Sequence, residues 1–383
     1  MPKFVTVQDR MQSAGSVMTG FDYLRIGLSI AVLVWHSIGL STSSLQHDIA
    51  MWSGPFRFLP AAIIPVFFAL SGFLVAGSLG RTRLHQFITL RVVRLLPALA
   101  AEITLSALIL GLAFTELPKL QYLTSQQFYA YFLNIVGDVH YALPGVFLDN
   151  PAGGTVNGQL WTIPYELECY LALIVLSVLT LVRRRLLFTI SVAVLSLALT
   201  ARVFSGHPVD PFGHMPGRML VLCFLAAVSL YLYRDMVPYS GLLGVVSAIA
   251  TVGLLQTPDT SYLAVFPVAY LTVWLGLTRP PAIPFGDLSY GVYLFHFPIQ
   301  QTILHVFPSV RSWWLLVLVS LPLTAVCAWL SWTLIERPTL TRKKLILAAV
   351  DRVWAALPAF SRPVPWPRRG EARTSPSTAT QVE

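Results

Sequence analysis

The sequence predicts an all-α, polytopic integral membrane protein of about ten transmembrane helices, with the N- and C-termini in the cytoplasm. Three observations predict it. Of the 383 residues, 55% are hydrophobic and only 11% are charged, against about 25% charged in a soluble domain, and the mean hydropathy is +0.68. The apolar residues form ten runs, about 22–40, 60–79, 95–113, 160–181, 186–203, 216–233, 240–255, 261–277, 288–306 and 313–334, several of them near the shortest length that spans a bilayer. The basic residues are sorted: with the N-terminus inside, 21 of the 26 Lys and Arg fall in inner segments, leaving Arg57, Lys119, Arg202, Arg218 and Arg311 outside or at outer ends. Such a positive-inside bias supports an even number of spans with both termini inside. The net charge of +9 therefore reports orientation and does not point to nucleic acid.

The elements follow in order. Residues 1–20 are mixed and polar, with no apolar core or cleavage pattern; no removable signal peptide is read, and the first hydrophobic segment is itself a span. Residues 21–338 form the transmembrane domain. Its longest outer loop, 114–159, carries an aromatic-rich stretch, "SQQFYAYFLNI", expected as an interfacial helix, and then turns polar and Gly/Pro-rich. A second outer loop reads "SGHPVDPFGHMP". His47, His140, His207 and His214 lie in outer loops and are read as surface residues. Residues 339–383 are a cytoplasmic tail, weakly amphipathic from about 345, whose ending "RRGEARTSPSTATQVE" has a disordered composition. Cys169, Cys223 and Cys327 sit inside apolar runs as small buried residues, with no spacing for a metal site or a disulfide framework.

Ionisable residues inside the spans carry the functional signal, because they are costly in a membrane and face a cavity or a partner. Arg25 and His36 are eleven residues apart on one face of the first span, roughly 16 Å along its axis, about half a bilayer core; Asp22 is placed to pair with Arg25. Arg91 and Arg94, in "RVVR" at the inner start of the third span, point the same way; they suit phosphate oxygens or serve as inner-face anchors. "LWTIPYELECY" holds Glu166 and Glu168 about 200° apart, with Thr162, Glu166 and Tyr170 on one face; a carboxylate there can orient a histidine or favour the helix start. "GDLSYGVYLFHFPI" places Ser289 and His296 on one face, with Asp287 or Ser289 able to cap the helix. "FFALSGFLVAGSLG" supplies small residues for close packing, and Glu336 in "IERP" is placed to meet an inner arginine.

In this order the motifs resemble the acyltransferase-3 family of bacterial membrane acyltransferases. Arg25 and His36 match its first-span pair, "FFALSGF" its second-span element, and Arg91 and Arg94 its R-x-x-R. Trp161, Thr162, Glu166 and Tyr170 match its W-[ST]-L-x-x-E-x-x-[FY]-Y, with Cys169 in place of the usual aromatic. Ser289, Tyr290, Tyr293, Leu294, His296 and Pro298 match S-Y-x-x-Y-L-x-H-x-P, and Glu336, Arg337 and Pro338 close the series. The resemblance implies transfer of an acyl group, usually acetyl from acetyl-CoA, to a carbohydrate hydroxyl, with no bound cofactor. Its expected setting is the lipid of the bacterial inner membrane. It implies His36 as base or transient acyl acceptor, Glu166 orienting His36 or stabilising its charge, and Arg25 assisting. Arg91, Arg94, Ser289, Tyr290 and His296 are expected on the acyl-CoA side. The rival reading is a membrane transporter using the same His, Arg and Glu residues; its mark would be symmetry-related repeats with broken helices, and none is visible.

Overall fold

The structure, a computed structural model, describes residues 4–15, 18–42, 52–207 and 214–356. Among these residues every regular element is helical, and only isolated bridges pair extended backbone, such as Thr6 with Pro238. The helices are α1 (Val7–Ala14), α2 (Thr19–Thr42), α3 (Phe58–Leu79), α4 (Leu84–Phe114), α5 (Lys119–Thr124), α6 (Gln126–Tyr131), α7 (Gly158–Val178), α8 (Arg185–Phe204), α9 (Gly217–Leu232), α10 (Gly241–Leu255), α11 (Val265–Gly276), α12 (Ser289–Val306), α13 (Trp313–Thr341) and α14 (Lys343–Ala355).

All ten apolar runs are helical. Six of the described helices, α2, α3, α4, α7, α8 and α13, are long and apolar enough to cross a membrane, which makes the chain a multi-pass membrane protein. The other runs fall short by length or polarity: α9 and α10 have 16 and 15 residues, α11 has 12, and α12 has 18 but carries His296, Gln300, Gln301 and His305. The short α9 sits at the centre of the bundle, with 12 of its residues buried; a helix apolar on every side finds protein, not water, around it. α10 is the opposite case, burying only Gly244, Thr251 and Leu255 and exposing Leu242, Val245, Val246 and Ile249, as a lipid-facing helix does.

Several boundaries differ from the hydropathy pattern. α4 begins at Leu84, not near 95, because Arg83 is extended and its N–H is capped by the Gln86 side chain at 3.1 Å; Arg91 and Arg94 therefore ride on a rigid helix. Residues 7–14, read as featureless, form α1, closed by a reciprocal Thr6–Asp9 capping box. α1 is pinned by the Val7 N–H to Val237 O at 2.9 Å and the Gln8 N–H to Arg234 O at 2.8 Å. The expected interfacial helix is α6 followed by a 3-10 turn, Phe132–Val136. The amphipathic part of the tail is α14; His47 and the ending from 357 lie outside the described residues.

The connections meet at two ends. At one, Arg185 pairs with Asp235 at 2.8 Å, Arg10 reaches Leu277 O at 3.1 Å, and α14 docks on α4 through Asp351, which accepts from His85 at 2.6 Å. At the other, Arg57 bonds Leu255 O and Gln256 bonds Gly54 O. The basic segments assigned to the inner side thus share the first end.

Two predictions arise. A Cβ on Gly72 would lie 2.2 Å from Phe224 O, where α3 packs on α9, so Gly72→Ala should lower stability by roughly 1–3 kcal/mol, read as a lower Tm in detergent. Hydrogen bonds from His85 and then Gln86 hold the Asp351 carboxyl below the ordinary carboxylate range. A lowered carboxylate stabilises its docked form above its unfolded value and loses that contribution as pH falls through the folded one, so α14 should be docked at neutral pH. Asp351→Ala should then speed hydrogen exchange across 343–355 at pH 7.

Candidate active site

Just before α12, one carboxylate gathers the cations. Asp287 accepts from Arg94 at 2.6 Å and Arg25 at 3.3 Å through Oδ2, and from the Ser289 hydroxyl at 2.5 Å through Oδ1. Burial pushes its pKa up, but Arg94 and Arg25 outweigh burial and leave it below the usual carboxylate range. Arg25 also meets Asp22 at 3.3 Å, and Arg94 meets Glu336 at 3.6 Å. The pairings expected of Asp22 and Glu336 are therefore present. Arg94 is already shared by two carboxylates, which leaves it poorly free to hold a further anion.

Arg91 differs. It has no ion pair among the described residues, its buried Nε lacks a hydrogen-bond partner, and its guanidinium lies 5.7 Å from the Phe87 ring centroid. It lines a cavity of about 170 Å³ with Arg25, Arg94, Glu166, Tyr170 and Tyr290. An unpaired planar fork lining a cavity is suited to phosphate oxygens. Glu166 belongs to this cavity too, and its carboxylate accepts from the Tyr170 hydroxyl at 2.5 Å. Expected to orient His36 or stabilise its charge, Glu166 has no hydrogen bond to His36 among the described residues and lines the other cavity.

The partner of His36 is His296. The rings are parallel within 4°, their centroids 5.0 Å apart, with His36 Nδ1 2.7 Å from His296 Nε2. His296 thus lies beside His36, not on the Arg91 side where it was expected. The other His296 nitrogen, Nδ1, is 3.1 Å from Val292 O. A carbonyl only accepts, so Nδ1 carries the proton; in the neutral ring Nε2 is then the acceptor and His36 Nδ1 the donor. His36 Nε2 is left with its lone pair and no partner among the described residues. It can take a proton or attack a carbonyl carbon.

The register of this pair is locked from both sides. Gln300, one turn beyond His296, donates to Leu33 O at 2.9 Å and Ser37 Oγ at 2.7 Å on α2. Pro298 has no N–H for the carbonyl of Leu294 one turn back, and Gln159 Nε2 fills that vacancy at 2.7 Å. Phe297 stands edge-on to His36, centroids 5.2 Å apart. Gly158 lets the first turn of α7 lie against Phe297, where a Cβ would come within 2.6 Å of the ring.

His36 opens on a second cavity, about 350 Å³, lined also by Trp35, Trp52, Trp161 and His214. His214, read as a surface residue, is thus a wall of this cavity and meets Trp52 edge-on at 5.2 Å. Among the described residues, only Ile64 and Tyr293 line both cavities. Sequence reasoning also passed over Glu102, fully buried in α4, which accepts from Ser106 at 2.6 Å and Asn157 at 2.8 Å. A lone carboxylate inside an apolar run was signal enough to find it.

The family described as Acyltransferase domain matches residues 18–333. The chain is similar to the nodulation protein 10 of Rhizobium leguminosarum bv. viciae, 27% identical over 310 residues, covering 74% of this chain and 83% of that protein. It is also similar to the O-acetyl transferase of Shigella phage Sf6, 24% identical over 345 residues, covering 84% of this chain and 96% of that one. No solved structure matches. A match reaching from the start of α2 into the last turns of α13 takes in both cavities and the histidine pair between them, and so the chain belongs to the acyltransferase family and is a membrane acyltransferase.

Proposed function

We propose that the chain moves an acyl group, acetyl in the first instance, from cytoplasmic acyl-CoA to a hydroxyl of a cell-surface or secreted carbohydrate across the bacterial inner membrane. The observation that carries this reading is the Val292–His296–His36 chain of hydrogen bonds, which leaves a basic nitrogen facing the cavity opposite the one that holds Arg91. On this reading the N-terminus is cytoplasmic, the span count is ten, and the Arg91 cavity opens to the cytoplasm. The anionic donor docks there, its phosphates on Arg91. Arg94, Arg25, Asp287 and Ser289 keep that mouth assembled, and Tyr290 walls it. The acceptor sugar enters the Trp-lined cavity, where apolar faces of a pyranose stack on indole rings.

In the transfer step the acceptor oxygen attacks the thioester carbonyl carbon. The C–O ester bond forms, the C–S bond breaks, and the hydroxyl proton passes through His36 Nε2 to the departing CoA sulfur. His296 holds the His36 ring in the required tautomer and accepts a stronger hydrogen bond as His36 becomes positive. The Sf6 phage protein is named an O-acetyl transferase, which supports acetyl and an oxygen acceptor here.

Two tests follow. His36→Ala should reduce O-acetylation of surface glycan by at least about 100-fold while leaving the protein in the membrane; proton NMR of glycan from a deletion strain carrying wild type or variant reads this, and full acetylation by His36→Ala would refute the reading. Arg91→Ala should raise the KM for acyl-CoA about tenfold or more with a smaller change in kcat, since one lost charge-assisted hydrogen bond is worth about 1.5–3 kcal/mol. Unchanged KM would remove Arg91 from the donor site.

A further inference from the structure

We infer that Ile64 and Tyr293 form an aperture that sets the length of acyl group the enzyme can transfer. The inference rests on the donor and acceptor sides proposed above. Among the described residues these two side chains alone line both cavities, with the unpaired Arg91 on one side and the free nitrogen of His36 on the other. A thioester that starts at the first and reacts at the second has its carbonyl at this junction, and its alkyl chain must fit there too.

The aperture is rigid on the Tyr293 side. The phenol donates to Gln159 O at 2.9 Å and shares a 2.6 Å bond with Thr162 Oγ1, while Phe67 packs edge-on against its ring, centroids 6.1 Å apart. Gln159 is itself fixed by Leu294 O, so the ring cannot swing aside without breaking a chain of bonds. Opposite, Ile64 is β-branched and restricted in χ1, and it sits on α3, whose backbone is held against α9 at Gly72. Beyond the aperture the cavity of about 350 Å³ is taken by the acceptor on this reading, so the acyl group has the aperture itself to occupy. One methylene in an apolar pocket changes selectivity roughly 10- to 200-fold.

The test uses inside-out membrane vesicles of an expressing strain, containing their own glycan. They are supplied with an equimolar mixture of acetyl-, propionyl- and butyryl-CoA, and the acids released from the glycan by mild base are counted by mass spectrometry. Wild type should favour acetyl over butyryl by at least about tenfold. Ile64→Ala should raise the butyryl-to-acetyl ratio about tenfold or more, and Ile64→Val should move it the same way by less. The ratio is internal to each vesicle preparation, so a smaller folded fraction does not alter it. An Ile64→Ala ratio equal to wild type, or a wild type that transfers butyryl as readily as acetyl, would overturn the aperture while leaving the acyl-CoA reading in place. Absence of transfer by wild type from all three donors, in vesicles whose glycan carries acetyl when made in the cell, would overturn both.

Discussion

Two guanidiniums drawn to one point of a membrane protein repel each other unless an anion lies between them, and Asp287 is that anion. It binds Arg94 on α4 and Arg25 on α2 with one oxygen while its other oxygen holds Ser289 at the first turn of α12. Glu336, on α13, adds a second carboxylate to Arg94. Four helices are thereby fixed to one another by one cluster, and the cavity that contains Arg91 lies among them. The cluster takes up Arg25 and Arg94 in full. Arg91 lies one turn from Arg94 on the same helix and stays outside the cluster, without an ion pair among the described residues, while Glu166 in the same cavity is bonded to Tyr170.

The half that holds the histidine pair depends on a different constraint. In lipid every backbone carbonyl needs a partner, and Pro298 denies one to Leu294. Gln159 supplies it from the start of α7, where Asn157 holds the buried Glu102 and Gly158 lets the chain lie on Phe297. A missing hydrogen bond in one helix thus becomes the joint that holds a neighbouring helix beside the histidine pair. Gln300, on the same helix, ties the other side to α2.

Much of this was legible in the sequence. Hydropathy located all ten helical runs, and helical spacing put Glu166 beside Tyr170, Asp22 beside Arg25, and Glu336 within reach of an arginine. Contacts between distant segments were not legible. His36 and His296 are 260 positions apart, and local spacing carries no information on which helix neighbours which; Glu166 was therefore assigned to His36 although it faces the arginines. α1 escaped because it is short and is held largely by the capping box and by hydrogen bonds to residues 234–237, with only Val7 and Met11 reaching the core. The polar first turns of α4 escaped because hydropathy registers lipid contact, and a helix that projects beyond the apolar layer has none. His214 looked like loop surface until the folded chain set it against Trp52.

A protein hollowed from both ends also has to insulate. Water-filled cavities carry little of the voltage across a membrane, so the potential is concentrated on whatever separates them. Here that stretch is the thickness of an isoleucine and a tyrosine ring. Moving one elementary charge through 100 mV involves about 2.3 kcal/mol, and on the proposed mechanism the steepest part of that drop coincides with the His36 ring. A neutral partner at that point, His296 and not a carboxylate, keeps fixed charge out of the strongest field.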